Sequence, residues 1–190
     1  MKLSIILPTL MQWWFYNDII KNLDKLGRWE WAECEIITIK NKLVNEAWNE
    51  WVDRAKWDYI LIINDDIIIN KWAIEIMMSL LEHHTISCPY FTKSWDNQTL
   101  YTHNWKNICW FCFMFKKERK DELFPIPSEL KLRYWDNRLY YKAKKNIWRW
   151  GKIHHRESKT LNSKEHKERL DKIIVWDSWF WREMFYPIIK

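Results

Sequence analysis

The sequence predicts an α/β domain with a mostly parallel central sheet. Three observations carry that expectation. Short apolar runs rich in β-branched residues alternate with segments of helical periodicity up to Ile63. The alternation reads β-α-β-α-β, which sets consecutive strands in parallel with right-handed crossovers. An amide and two carboxylates, Asn64-Asp65-Asp66, follow the most apolar run directly, and in open sheets of this kind ligands bind beyond the carboxyl ends of the strands.

Leu3 to Leu7 is the first strand, ended by Pro8-Thr9. Ile19, Ile20, Leu23 and Leu26 share one face of a helix from Asn17 to Leu26, capped by Asn17 or Asp18 and stopped by Gly27. Cys34 to Ile39 is the second strand. Val44, Ala47, Trp48, Trp51, Val52 and Ala55 recur at helical spacing and form one continuous apolar stripe. The third strand, up to Ile63, is apolar enough to be buried on both faces. Asn70 caps a helix carrying Trp72, Ile74, Ile76, Met77, Leu80 and Leu81.

Strands at Ile86 to Phe91 and Asn107 to Phe115 follow, separated by a turn-rich stretch with a short hairpin at Thr99 to Thr102. Lys116 to Glu122 reads as a charged turn or short helix, and Pro125 and Pro127 impose an extended loop. Asp136 to Lys145 is expected to be helical and Ile153-His154-His155 a brief strand. Ser163 caps a C-terminal helix running through Leu170, Ile173 and Ile174. No linker composition or internal repeat interrupts the chain, so residues 1–190 are expected to form one domain.

Composition narrows the classes of function. Hydrophobic residues make up 48% and charged residues 29%, a globular balance that argues against wholesale disorder. No apolar run approaches the roughly 20 residues of a membrane span. The apolar part of the N-terminus is too short for a signal peptide, so the expectation is a cytoplasmic protein. The formal net charge of +6 suits a nucleic acid, a phosphate-bearing substrate or peripheral contact with the anionic inner face of a membrane. Cys109 and Cys112 stand three apart in an expected strand, so their thiols diverge. With no second pair to complete a zinc site, all four cysteines read as buried free thiols.

One count is abnormal: 17 Trp against 2 Gly, where glycine is normally about 7% of residues. Several Trp occupy turn-like polar settings, as in Lys56-Trp57-Asp58, Ser94-Trp95-Asp96, Asn104-Trp105-Lys106 and Tyr134-Trp135-Asp136. Glycine suits such settings better. The expectation is a source that reads UGA as glycine, with Trp written in its place.

Hard oxygen ligands gathered at a strand end suit Mg²⁺ or Mn²⁺ carrying a phosphate; the plainer alternative is a solvated acidic turn. The whole run from Val44 to Asp66, containing Ala47-Trp48-Asn49-Glu50-Trp51 and Ala55-Lys56-Trp57-Asp58-Tyr59, resembles the core of family 2 glycosyltransferases of the GT-A fold. Those show a Gly-x-Asn-x-Gly-like helix, Ala-x-Gly-Asp-Tyr, an apolar strand and a DxD-type motif. Glycine at Trp48, Trp51 and Trp57 restores the pattern. Trp110-Phe111-Cys112-Phe113-Met114 resembles the acceptor-side strand, and Trp135-Asp136-Asn137 the late Gly-Asp/Glu-Asp motif.

The resemblance implies a single GT-A, Rossmann-like domain. Residues 1–90 would form the nucleotide-sugar-binding half, 91–160 the acceptor and catalytic half, and 161–190 a C-terminal helix. It implies a metal-dependent transfer, inverting in stereochemistry, from a nucleotide-diphospho-sugar donor to a saccharide or other hydroxyl acceptor. Asp66, Asp65 and His155 would hold Mn²⁺ or Mg²⁺. Imidazole suits Mn²⁺ better, and only one of the adjacent His154 and His155 can face the site. Pro8, Thr9, Asn41, Asn49, Asp65 and Lys159 would contact the donor. Asp136 would deprotonate the acceptor hydroxyl, or cap its helix, or both.

The family's usual base-reading Asp is missing after the second strand, where Thr38-Ile39-Lys40-Asn41-Lys42 stands, so the nucleotide is open. His83-His84 suit a helix C-terminus better than a metal. Three rivals remain. Basic and aromatic residues interleave at Arg133-Tyr134-Trp135 and Arg138-Leu139-Tyr140-Tyr141-Lys142, as in single-stranded nucleic-acid binders; glycine for Trp weakens this, and no nucleic acid is expected. A nucleotidyltransferase would want a basic loop after the first strand, which is absent. An inactive GT-A relative is the third.

Overall fold

The computed structural model describes residues 2–9, 17, 20–23, 33–40, 44–65, 67–93, 112–130, 135–143 and 147–155. For residues 9, 39, 40, 44, 90–93, 135–137, 140 and 147–155 it describes the backbone alone. The expected hairpin at Thr99 to Thr102, the helix from Ser163, and Cys109 lie outside the described residues. Of the helix expected from Asn17, residues 20–23 are described and helical.

The strands are β1 (Lys2–Thr9), β2 (Glu33–Lys40), β3 (Tyr59–Ile63), β4 (Ile67–Ile68), β5 (Ile86–Lys93), β6 (Cys112–Lys116) and β7 (Ile147–His155). They form one sheet in the order β2-β1-β3-β6-β5-β7-β4. β1 pairs in parallel with both β2 and β3, and β5 with β7. β6 is inserted antiparallel between β3 and β5. The expected mostly parallel sheet is therefore present, as an α/β fold.

β3 is the spine. Ile60, Leu61, Ile62 and Ile63 are all fully buried, because β1 and β6 flank the strand and helices cover the sheet. Each such side chain contributes about 1.5–3 kcal/mol through burial. The turn entering β3 is fixed by a small polar network. The Glu35 carboxylate accepts from Ser4 Oγ and from the Lys56 N–H, and Ser4 Oγ accepts from the Trp57 N–H.

Helix α1 (Val44–Arg54) lies in the β2-to-β3 crossover, with Ala47, Trp48 and Val52 buried and Trp48 edge-on to Phe113 at 5.2 Å. Helix α2 (Lys71–Leu80) is capped by Asn70, whose side chain accepts from the Ala73 N–H at 2.8 Å. It buries Ala73, Ile74, Met77 and Met78. Trp72, one of the apolar residues of this helix, is 57% exposed; it stands about 100° round the helix from Ala73. A 3₁₀ turn (Lys117–Arg119) leads into the short α3 (Lys120–Leu123), then an extended loop over 124–127, and later α4 (Trp135–Lys142).

β7 is longer than the Ile153-His154-His155 expected. Its ladder with β5 advances from Cys88↔Arg149 to Tyr90↔Lys152, so β7 carries one extra residue at Trp150-Gly151. That is a β-bulge containing one of the chain's few glycines, a usual place for one. A bulge reverses the side-chain alternation within the strand, and this hid the first half of β7 from a period-2 reading. Cys34, Cys88 and Cys112 form no disulfide; Cys88 and Cys112 are buried and Cys34 is half-buried. Among the described residues no helix is long and apolar enough to cross a membrane.

Candidate active site

β1, β2, β3, β5 and β7 share one direction, so their carboxyl ends lie along one edge of the sheet. β4 and β6 run the other way and begin at that edge, at Ile67 and Cys112. Side chains that follow the parallel strands therefore gather there.

The acidic turn sits between β3 and β4. The Ile67 N–H donates to the Asn64 carbonyl at 3.3 Å, which closes the chain tightly around Asp65. Asn64 and Asp65 are half-buried. β4 then pairs antiparallel with the end of β7, setting Ile67 opposite His155 and Ile68 opposite His154. The backbone of His155 thus stands beside the residue that follows Asp66. Asn22 Oδ1 accepts from the Ile69 N–H at 3.4 Å and ties the segment after β1 to the exit of the turn.

On the other flank, β1 pairs with β3 through Ile6 and Ile62. Two residues on, Pro8 and Asn64 follow at corresponding positions, with Thr9 closing β1. The topology therefore brings Pro8, Thr9, Asp65 and the backbone of His155 to one edge. Asn41, Asp66 and Lys159 lie outside the described residues. Asp136 is the second residue of α4 and is described in its backbone alone.

Asn49 is engaged elsewhere. Its Nδ2 donates to the Ile126 carbonyl and its Oδ1 accepts from the Ile126 N–H, both at 2.7 Å. The side-chain amide thus pairs with a loop peptide as a second peptide would. Asn45, one turn earlier and 1% exposed, donates to the carbonyls of Pro127 and Ser128 at 3.3 and 3.1 Å. The polar spacing of Asn45, Asn49 and Asp53 beside the apolar stripe of α1 marks a second helix face in the sequence, but not its partner 77 residues on.

Burial pushes the Cys112 thiol well up, with Cys88 adding to the effect. Burial also raises Cys34. Among the described residues no group of three or more His, Cys, Asp or Glu converges on a metal. Of the expected ligands, Asp65 alone has its side chain described. Two carboxylates and an imidazole would form a donor set that fits Mn²⁺; the β4–β7 register sets the backbone of His155 opposite Ile67.

Burial lowers the affinity of Arg138 for its proton. Arg138 donates from Nη2 to the Pro125 carbonyl at 3.4 Å, joining α4 to the same loop that Asn49 holds.

No family model and no curated protein matches the sequence. Solved structures do match in shape. The S. aureus TarS 1-349 structure with UDP aligns at a TM-score of 0.63 and 12% identity, over 97% of this chain and 73% of that one. The Drosophila β1,4-galactosyltransferase 7 mutant, with manganese, UDP-Gal and xylobiose, aligns at 0.61 and 9%, over 85% and 73%. Glucosyl-3-phosphoglycerate synthase of Mycobacterium tuberculosis, with Mn²⁺, UDP and glucosyl-3-phosphoglycerate, aligns at 0.57 and 10%, over 83% and 72%. The chain spans 59% of TarS 1-349 as solved with UDP-GlcNAc and 44% of the longer TarS chain. What is shared at these identities is the fold: this chain has the α/β architecture of the GT-A nucleotide-sugar transferases.

Proposed function

We propose that the protein is a metal-dependent, inverting glycosyltransferase of the family 2 type. It would move a sugar from a nucleotide-diphospho-sugar to an acceptor hydroxyl. The observation that carries this reading is the pairing of β4 with β7. That ladder sets the backbone of His155 opposite Ile67, one residue from Asp66, at the edge where β1 ends in Pro8-Thr9.

In this reading Asp65, Asp66 and His155 hold Mn²⁺ or Mg²⁺. When held by these residues, such a cation would supply charge neutralisation of the diphosphate and stabilisation of the leaving group. Pro8, Thr9 and Asn41 line the nucleotide end of the site, and Lys159 adds positive charge beside the diphosphate. Asp136, at the start of α4, takes the proton from the acceptor hydroxyl. Asn49 serves by holding the loop rather than by touching the donor.

The reading also takes Trp51 and Trp57 as glycines of a UGA-recoding source, whereas Trp48, fully buried and edge-on to Phe113, packs as a core residue. In its favour, the indole N–H groups of Trp51 and Trp57 are buried with no acceptor, a cost of about 1–3 kcal/mol each that glycine would not incur. UGG codons at these positions in the gene would end this part of the proposal.

Thermal unfolding with Mn²⁺ and a panel of nucleoside diphosphates tests the function. Stabilisation by UDP or GDP that needs the metal, and that disappears in Asp66→Ala, is the expected result. Metal-independent, tight binding of single-stranded nucleic acid without any such stabilisation would overturn it.

A further inference from the structure

We infer that Asn45 and Asn49 are positioning residues, which set α4 and its Asp136 against the donor edge by clamping the loop before that helix. The inference rests on the glycosyltransferase reading above.

The clamp is part of a longer polar seam along α1. Asn45, Asn49 and Asp53 stand at i, i+4 and i+8, so they share one helix face. Their partners come in the reverse order along the chain. Asn45 reaches Pro127 and Ser128, Asn49 reaches Ile126, and Asp53 meets Lys120 Nζ at 2.6 Å. Beyond the helix end, Lys117 Nζ donates to the Ala55 carbonyl and the Lys117 N–H to the Asp58 carbonyl. The segment from Lys117 to Ser128 therefore runs antiparallel along α1, bonded at each turn.

The two ends of this seam differ in character. The Asp53–Lys120 pair is largely exposed and of the kind worth little. The Asn45 and Asn49 bonds are buried or half-buried, and they satisfy backbone groups of a proline-bounded loop that has no ladder of its own. Asn45 Oδ1 is buried without a partner, a cost that is set against the two carbonyl bonds its Nδ2 makes.

What the clamp holds is the approach to α4. Phe124 stacks toward Phe115 at 5.4 Å, and Ile126, Leu130 and Leu139 are buried in the same core. Arg138 closes the circuit by bonding the Pro125 carbonyl. Through this path α1, which leads into β3 and the acidic turn, is mechanically joined to the helix that begins with Trp135-Asp136. A displacement of about 1 Å at a reacting group can cost a hundredfold in rate, so the seam is where the donor side and the base are kept in register.

The test uses the full chain and reads UDP release from UDP-GlcNAc and UDP-Gal with Mn²⁺, alongside direct UDP binding. In Asn49→Ala, kcat should fall ten- to hundredfold while the donor KM and the UDP affinity stay within twofold. The acidic limb of the kcat profile should flatten, as it should in Asp136→Asn. Asn45→Ala, which removes longer bonds, should show the same pattern more mildly, and it carries the test if Asn49→Ala does not fold. Unchanged kcat in both variants, or a reduced kcat with the acidic limb intact, would overturn the inference. UDP affinity falling in step with kcat would also overturn it, by making Asn49 a donor contact. Wild-type protein that, with metal, neither binds UDP or GDP nor releases either from its sugar donor fails before any variant is made, and that failure belongs to the glycosyltransferase reading itself.

Discussion

Asn70 shows how one side chain fixes where the chain turns back toward the sheet. Its backbone is extended (φ −108°, ψ 165°) and its Oδ1 takes the Ala73 N–H, satisfying one of the orphan donors at the start of α2. Asn70→Ala should cost about 1 kcal/mol, read as a lower urea midpoint with an unchanged slope. No measurable loss would mean that the cap bond is replaced by water. This residue was legible in the sequence because a cap is a local arrangement, complete within four residues. Trp72, two positions on, was not legible. Which face of α2 turns inward is decided by β5 and β7 beneath it, and strict counting of apolar residues cannot see them. Asn49 was read for its chemistry alone; its partner at Ile126 is 77 residues away, a contact no local pattern announces.

At the scale of elements, the proposed metal site rests on the pairing of β4 with β7. β4 is two residues long and follows the acidic turn at once, too short for any periodicity to reveal it. β7 was half-hidden by its bulge at Trp150-Gly151. The long, apolar or strongly periodic elements, β1, β3, α1 and α2, were legible because their patterns run over several residues. The pieces that complete the edge were not, because they exist only as partners of one another. The same register makes a sharp prediction. Adjacent residues on a strand point to opposite faces, so His155→Ala should weaken Mn²⁺ binding in the presence of UDP at least tenfold, whereas His154→Ala should leave it within twofold. Titration of free Mn²⁺ by its spin-resonance signal reads this directly. Equal effects of the two substitutions, or none, would remove His155 from the metal set.

For the molecule as a whole, the balance of 17 Trp against 2 Gly is the property that most needs a physical test, and three described positions allow one. Trp48 is fully buried and edge-on to Phe113. Removing it to glycine empties a large volume, at about 3–5 kcal/mol for the cavity and about 1 kcal/mol more for glycine within a helix. Trp57 is placed differently. Its ring lies under Lys2 Nζ at 4.5 Å, an exposed cation–π contact worth about 0.5–1 kcal/mol, and its buried N–H has no acceptor, which offsets that gain at about 1–3 kcal/mol. Trp51 repeats the pattern under Arg54 at 4.7 Å, but it also sits in α1, where glycine carries its helix penalty. Trp57→Gly should therefore change the unfolding free energy by less than about 1 kcal/mol, Trp51→Gly by slightly more, and Trp48→Gly by several. Denaturant midpoints of the three single variants rank them. A loss at Trp57 as large as that at Trp48 would make Trp57 a true core residue and end the glycine reading at that turn. A neutral or stabilising Trp57→Gly would mean that the turn into β3, and with it the strand that delivers Asp65 to the edge, is built for a residue without a side chain.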